Sequence, residues 1–382
     1  MANTFKFGNG KWAVKDGYAL AYNDENGNFK PLPFDFTRAT SATRVNKQGL
    51  IETVASGVPR IDFTDANGAL LLEPSRTNLY TYSNDVSFWS KSNVVTTSNY
   101  AISPDGTQNA FRAAFSSSTG LLYVTATGTT GTNNTLSVWA KSNNGSSNKF
   151  RFFANGTTTL SNDFIATDEW QRFEFTYNCT SVTSGLTGAS DSATNDIIFY
   201  GFQHEVGSYP TSYIPTQGSA VTRVADACSD AGNSQIFNDS EGVLFAEIEP
   251  LVNDASLRTI SISDGTDSNE IFLQFSNSTS RIECRVIVGG VLQSQLLYIF
   301  PNSNEFLTMS KFALKYKEND FSLWVNGTEK VVDTSGSVPS NNVLDLLKFE
   351  RAAAGQEFYG NTKQIQYFNT ALTDAELQAL TS

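Results

Sequence analysis

The sequence predicts an all-β protein, an irregular, extended N-terminal region followed by two β-sandwiches. Three observations carry that expectation. Short runs alternate apolar and polar residues, as Phe173, Phe175 and Tyr177 do against Arg172, Glu174 and Thr176. Clusters of Gly, Asn, Asp and Pro interrupt those runs at hairpin spacing. A helix signal closes the chain, with Thr373 placed to cap and Glu376 at the third helical position.

In chain order, residues 1–69 carry a turn signal every few positions, among them Gly8-Asn9-Gly10, Asp16-Gly17, Asn26-Gly27-Asn28 and Asn67-Gly68. Between them lie short pieces such as YALAY (18–22) and GLIETV (49–54), which read as extended chain with hairpins. LLLEPSRTNL (70–79) marks the seam: an apolar run stopped by Pro74 is a short buried strand or a tucked-in extended segment. From Asn78 the strands follow closely: FWSKSNVVTTS (88–98), NAFRAAF (109–115), LLYVTAT (121–127), TLSVWAKS (135–142), KFRFFA (149–154), WQRFEFTYNC (170–179) and DIIFYGFQHEVG (196–207). Seven or eight antiparallel strands at this spacing predict a jelly roll over 78–222. Residues 208–236 read as an ordered linker. GVLFAEIEP (242–250) opens a second sandwich, continued by RTISISDG, EIFLQFS, RIECRVIVGGVLQSQ, KFALKYKEN, DFSLWVNG and KQIQYFN. The expected division is 1–77, 78–222 and 223–382, with Leu70, Leu71, Leu72 and Arg76 as docking residues. Leu70 to Leu72 are expected to enter the first sandwich or an inter-subunit core.

Composition narrows the functions. The 382 residues carry a formal net charge of −12, which disfavours nucleic acid and anionic membrane as partners. No apolar run approaches the roughly 18 residues that span a bilayer. The N-terminus lacks a secretory apolar core, so a protein acting outside the cell is expected to travel as part of something larger. Cys179, Cys228 and Cys284 stand far apart and read as buried thiols, and a single histidine, His204, cannot build a zinc site or a nucleophile-histidine pair. His204 is expected to be a core or half-buried residue.

The candidate sites are few. Sugar binding needs an aromatic platform beside planar polar groups. Trp139 and Tyr123 in the first sandwich, and Trp324 with Asn326 in the second, fit that description. For Trp139 and Trp324 the alternative is cover for a neighbouring strand, loop or subunit. Asp264, Asp267 and Asn269 form a loop that is either a solvated turn or a structural calcium site. Arg38, Arg44, Arg60 and Arg76 read as ion pairs and backbone clamps, with glycan or phosphate contact as the rival. No catalytic residues are expected. A polysaccharide depolymerase would need carboxylates converging in a cleft, which the sequence does not display.

TRATSATRVN (37–46), GLIETV, PRIDF (59–63), LLLEPSRTNL, FWSKSN (88–93), TSYIPT (211–216) and Thr222-Arg223 with Asp226 together resemble bacteriophage virion proteins of the fibre or minor structural kind. Within that likeness, Trp170-Gln171-Arg172 and Gly201-Phe202-Gln203-His204-Glu205 are similar to a carbohydrate-binding-module jelly roll, with His204 where an aliphatic residue is expected. KFALKYKENDFSLWVNG, the strand Gly360–Asn369 and ALTDAELQALT resemble a concanavalin A-like domain of the laminin G or pentraxin type. The resemblance implies a non-enzymatic virion appendage, docked to capsid or tail proteins by its N-terminal region and exposed on the particle. It also implies a homo-oligomer, a trimer, and adhesion to host or environmental glycans, without cofactors other than structural calcium. The rival is a decoration or connector that binds no receptor.

Overall fold

The computed structural model describes residues 34–382 except 66, 126–128, 182, 192, 277, 279 and 354, plus the backbone of strands Phe5–Gly8, Trp12–Lys15, Ala19–Asn23 and Phe29–Pro31. The described chain is built of antiparallel sheets, as its alternation predicts, and falls into two compact units.

One unit comprises residues 40–55 and 75–224. Its five-stranded sheet runs Val94–Ala101, Ala110–Phe115, Asn195–Val206, Asn133–Ser142, Gln171–Asn178. Facing it is a sheet with Ser90–Ser92, Leu121–Thr125, Thr183–Gly188 and Asn148–Ala154. The core between them is aromatic, with Phe111, Phe150, Phe152, Phe199 and Phe202 buried. Phe150 meets Phe199 edge to face at 5.1 Å, the geometry ring quadrupoles favour. Two additions complete the unit. The hairpin Ala42–Val45 with Ile51–Val54 carries the pair Arg44–Glu52 at 2.7 Å, and Arg76–Asn78 pairs with Val221–Arg223.

The other unit comprises 1–39, 56–74 and 225–382. Its larger sheet runs Thr328–Asp333, Phe321–Val325, Ser310–Lys317, Glu241–Pro250, Gly360–Phe368, Ala69–Leu72, Arg60–Asp62. The smaller runs Val291–Ile299, Arg281–Val288, Glu270–Phe275, Arg258–Ser263, Leu346–Lys348. The helix Asp374–Thr381 closes the chain with the expected capping box between Thr373 and Glu376.

The seam region therefore differs from expectation. Residues 34–77 do not stand apart, because the first unit takes 40–55 and the second takes 56–74. Leu70 and Leu72 are fully buried in the C-terminal sandwich and pair with Thr362 and Gly360, not with the jelly roll. Their run is continuous because both faces of that strand are covered. Leu70, Leu71 and Leu72 are spent inside the chain's own core, which removes them as docking residues. Arg76 is also engaged, its guanidinium 5.2 Å from the Tyr209 ring. The remaining docking expectation falls on 1–33, whose side chains lie outside the described residues.

The arginine readings resolve as clamps. Asp226 receives Arg38 at 3.0 Å and also Arg60, which reaches Glu73 at 2.6 Å; the side chains are buried. Glu73 N donates to Asp226 and Asp226 N to the Glu73 carbonyl, so the charged node is knotted to the backbone. Two guanidiniums against two carboxylates leave little net charge to desolvate.

Candidate functional site

The residues singled out for sugar binding are placed as follows. Trp324 does project from the face opposite Phe321, Leu323 and Val325, but the terminal helix covers that face. The ring packs among Val243, Phe245, Phe368 and Leu377 and is 7% exposed, so it offers no platform. Trp139 is half-buried, with the Arg172 guanidinium 4.4 Å from its ring centroid and Tyr213 edge-on at 5.8 Å. Gly201 (φ +68) lies so close that a Cβ there would sit 2.9 Å from the indole. Tyr123 stands on the other sheet, against Phe153 at 6.2 Å, so the structure does not bring it to Trp139. Asn326 occupies the left-handed turn position, its Oδ1 accepting from Lys311 N and its Nδ2 donating to Ser310 Oγ.

The acidic loop is likewise satisfied from within. Asp264 accepts from Thr266 N, Thr266 Oγ1 and Asn269 Nδ2, Asn269 Oδ1 takes Gly289 N, and Asp267 meets Arg351 at 3.2 Å. Burial works to raise the Asp264 pKa, but the Thr266 and Asn269 donors hold it below the usual range. Among the described residues no three His, Cys, Asp or Glu side chains are arranged to hold a metal.

Two phrases of the jelly roll fasten its last loop. Gln203 Oε1 accepts from Ile214 N, its Nε2 donates to Glu205, and Glu205 accepts from Thr211 N and Oγ1. Arg172 donates to the Thr211 carbonyl at 2.7 Å. Burial pushes the Glu205 carboxyl up, while the Thr211 and Gln203 donors pull it back. His204 is a core residue as expected, its Nε2 3.0 Å from Asn134 Oδ1 and 3.2 Å from the Tyr177 hydroxyl. Burial lowers its pKa to about 4, so the imidazole is neutral at pH 7.

That fastened loop forms one wall of a groove of about 740 Å³. Its lining includes Asn84, Asp85, Ser98, Asn99, Asn109 and Gln217. The opposite wall begins with the 3₁₀ turn Val86–Phe88, capped by Asp85 accepting from Ser87 N at 3.0 Å. Val86 and Trp89 are buried and anchor the turn, and the indole N–H donates to the Tyr82 carbonyl at 2.9 Å. With Val86 and Trp89 turned inward, Phe88 is thrown out: it is 62% exposed and stacks on Tyr82 at 3.8 Å, 8° from parallel. Tyr82 in turn bridges to Gln217 of the groove. An exposed Phe88, stacked on the half-buried Tyr82, is thus joined through Ser83 and Ser87 to a trough of amides and hydroxyls. The sequence hint was the pair Phe88-Trp89 after a capping Asp, since two successive bulky residues in one turn cannot both enter the core.

No protein-family model and no curated protein matches the chain. Solved structures overlap parts of it. The CBM40 of Ruminococcus gnavus IT-sialidase aligns at 15% identity over 40% of this chain and 94% of that one, with a TM-score of 0.34. Domain 4 of AbnA, a GH43 extracellular arabinanase from Geobacillus stearothermophilus in complex with arabinotriose, aligns at 11% over 46% and 84%, with 0.33. The botulinum neurotoxin type G receptor binding domain aligns at 12% over 40% and 41%, with 0.30. Nothing about this chain's activity follows from overlaps of that size.

Proposed function

We propose that this chain is a non-enzymatic adhesion protein of a phage virion, a fibre or appendage that holds surface glycans in the jelly-roll groove. The observation that carries the glycan reading is the exposed Phe88, stacked on Tyr82 and adjacent in the chain to Ser87 of a trough lined by Asn, Gln and Ser. The apolar faces of pyranose rings stack on such aromatics while amides take the hydroxyls. Among the described residues the groove lining holds a single carboxylate, Asp85, already engaged by Ser87, whereas glycoside hydrolysis uses two flanking acids. The virion setting and a trimeric assembly, which would give weak sites avidity, rest on the phage-like phrases of the sequence.

A glycan array probed with the full chain and with Phe88→Ala tests the reading. Wild type should bind one or more bacterial surface polysaccharides, and Phe88→Ala should weaken binding at least roughly tenfold with an unchanged melting temperature. Silence of the wild type across diverse polysaccharides would favour the rival, a structural connector. The exposed Val291, Leu297 and Ile299 on one edge strand support that rival, because such strands invite a partner.

A further inference from the structure

A second, smaller depression lies in the C-terminal sandwich, bordered by Tyr298, Glu305, Thr308, Asn326 and Lys330 above the buried Phe300 and Val325. It encloses about 230 Å³, below the roughly 300 Å³ at which pockets take drug-sized molecules, so it suits a single ring. Its charged groups are unusually uncommitted. The Lys330 ammonium rests 5.2 Å from the Tyr298 ring centroid and has no ion pair among the described residues. Glu305 accepts from Asn302 Nδ2 at 2.8 Å through one carboxylate oxygen, leaving the other open among the described residues. The two charges border one space without joining in a salt bridge, and they balance.

We infer that this depression binds one neutral, hydroxyl-rich ring, a terminal hexose, with adjacent hydroxyls shared between Glu305 and Lys330. A carboxylate oxygen accepts hydroxyl protons and an ammonium donates to hydroxyl oxygens, both as charge-assisted bonds. Because the two charges balance, the site offers no net attraction to either an anion or a cation, which leaves a neutral ligand able to use both groups at once. The half-buried Tyr298 ring supplies the apolar surface that a sugar's carbon face needs, with Phe300 and Val325 packed beneath the depression. Asn326 shapes the rim, because its amide is already committed to Lys311 and Ser310. The choice of a saccharide rests on the adhesive reading above; the site itself shares no residue with the groove.

Saturation-transfer NMR on the full chain tests it, with methyl α-D-glucopyranoside, methyl α-D-galactopyranoside and D-glucuronate as probes. At least one neutral glycoside should receive saturation. Glu305→Gln and Lys330→Met, both at exposed positions, should each weaken that binding roughly tenfold. Phe88→Ala should leave it unchanged while weakening polysaccharide binding. No transfer to either neutral glycoside, or preference for D-glucuronate, would overturn the site. So would loss of the signal in Phe88→Ala with retention in Glu305→Gln, an outcome that leaves the groove standing.

Discussion

The jelly roll takes its core from Tyr80 to Phe202, whereas the C-terminal sandwich reaches back past it for Phe34, Ile61, Leu70 and Leu72. The first unit is stapled by hydrogen bonds among Gln203, Glu205 and Thr211, and the second by the charged node of Arg38, Arg60, Glu73 and Asp226. A sandwich that closes within one stretch can fasten its loops locally. One assembled from distant segments needs a lock that all segments share, and a multivalent charge cluster supplies it.

Asp226→Ala tests the lock most severely. It strips two buried guanidiniums of a shared carboxylate and should cost the C-terminal sandwich about 3–5 kcal/mol, with the jelly roll little affected. Denaturant unfolding followed by the near-ultraviolet signal of Trp324 against that of Trp89, each isolated by substituting the other tryptophans with Phe, would show it; equal destabilisation of both units would break the comparison. Leu70→Ala comes next, at about 3 kcal/mol for a fully buried leucine, and should again fall on the C-terminal sandwich. Hydrogen exchange at the paired strand Gly360–Phe368 reports it, and protection lost in the jelly roll instead would contradict the pairing.

The smallest expected effect is the jelly roll's response to acid. With the folded His204 pKa near 4, the unfolded chain takes up this proton first. Stability is then complete above the ordinary histidine pKa of about 6.5 and falls as pH drops towards 4, by on the order of 2 kcal/mol between pH 7 and pH 5. Glu205, pushed up by burial, works in the opposite sense, so wild type should be compared with His204→Gln. As His204 is the single histidine, its imidazole proton resonance gives the pKa directly, and a midpoint near 6.5 would refute the burial argument.

Local chemistry was legible in the sequence, and long-range chemistry was not. The alternation in Gln171–Asn178, the Thr373–Glu376 box and the buried His204 follow from neighbouring residues, and each is present. Leu70 to Leu72 read as a buried strand or tucked-in segment and form the strand, but nothing nearby could say that its partner was the strand starting at Gly360. Trp324 read as a platform or as cover for a neighbouring element, and the helix that packs over it is contributed some fifty residues later. The groove escaped because Phe88 is exposed only in consequence of Val86 and Trp89 both turning inward. Arg38, Arg60, Glu73 and Asp226 belong to separate phrases whose meeting only the folded chain displays.

Because the C-terminal sandwich is discontinuous, the chain cannot fold strictly in the order in which the ribosome makes it. The strand Ala69–Leu72 emerges with its apolar faces unmatched and waits for Gly360–Phe368. The jelly roll, complete by residue 224, is free to fold during that wait. Its strands Arg76–Asn78 and Val221–Arg223 pair antiparallel, drawing together the two ends of a 150-residue excursion. Closing a flexible loop of that length costs on the order of 4 kcal/mol, and the early-folding unit removes that cost before the late one begins. Lesions in the jelly roll should therefore lower the yield of folded protein during synthesis more than they lower the stability of protein already made.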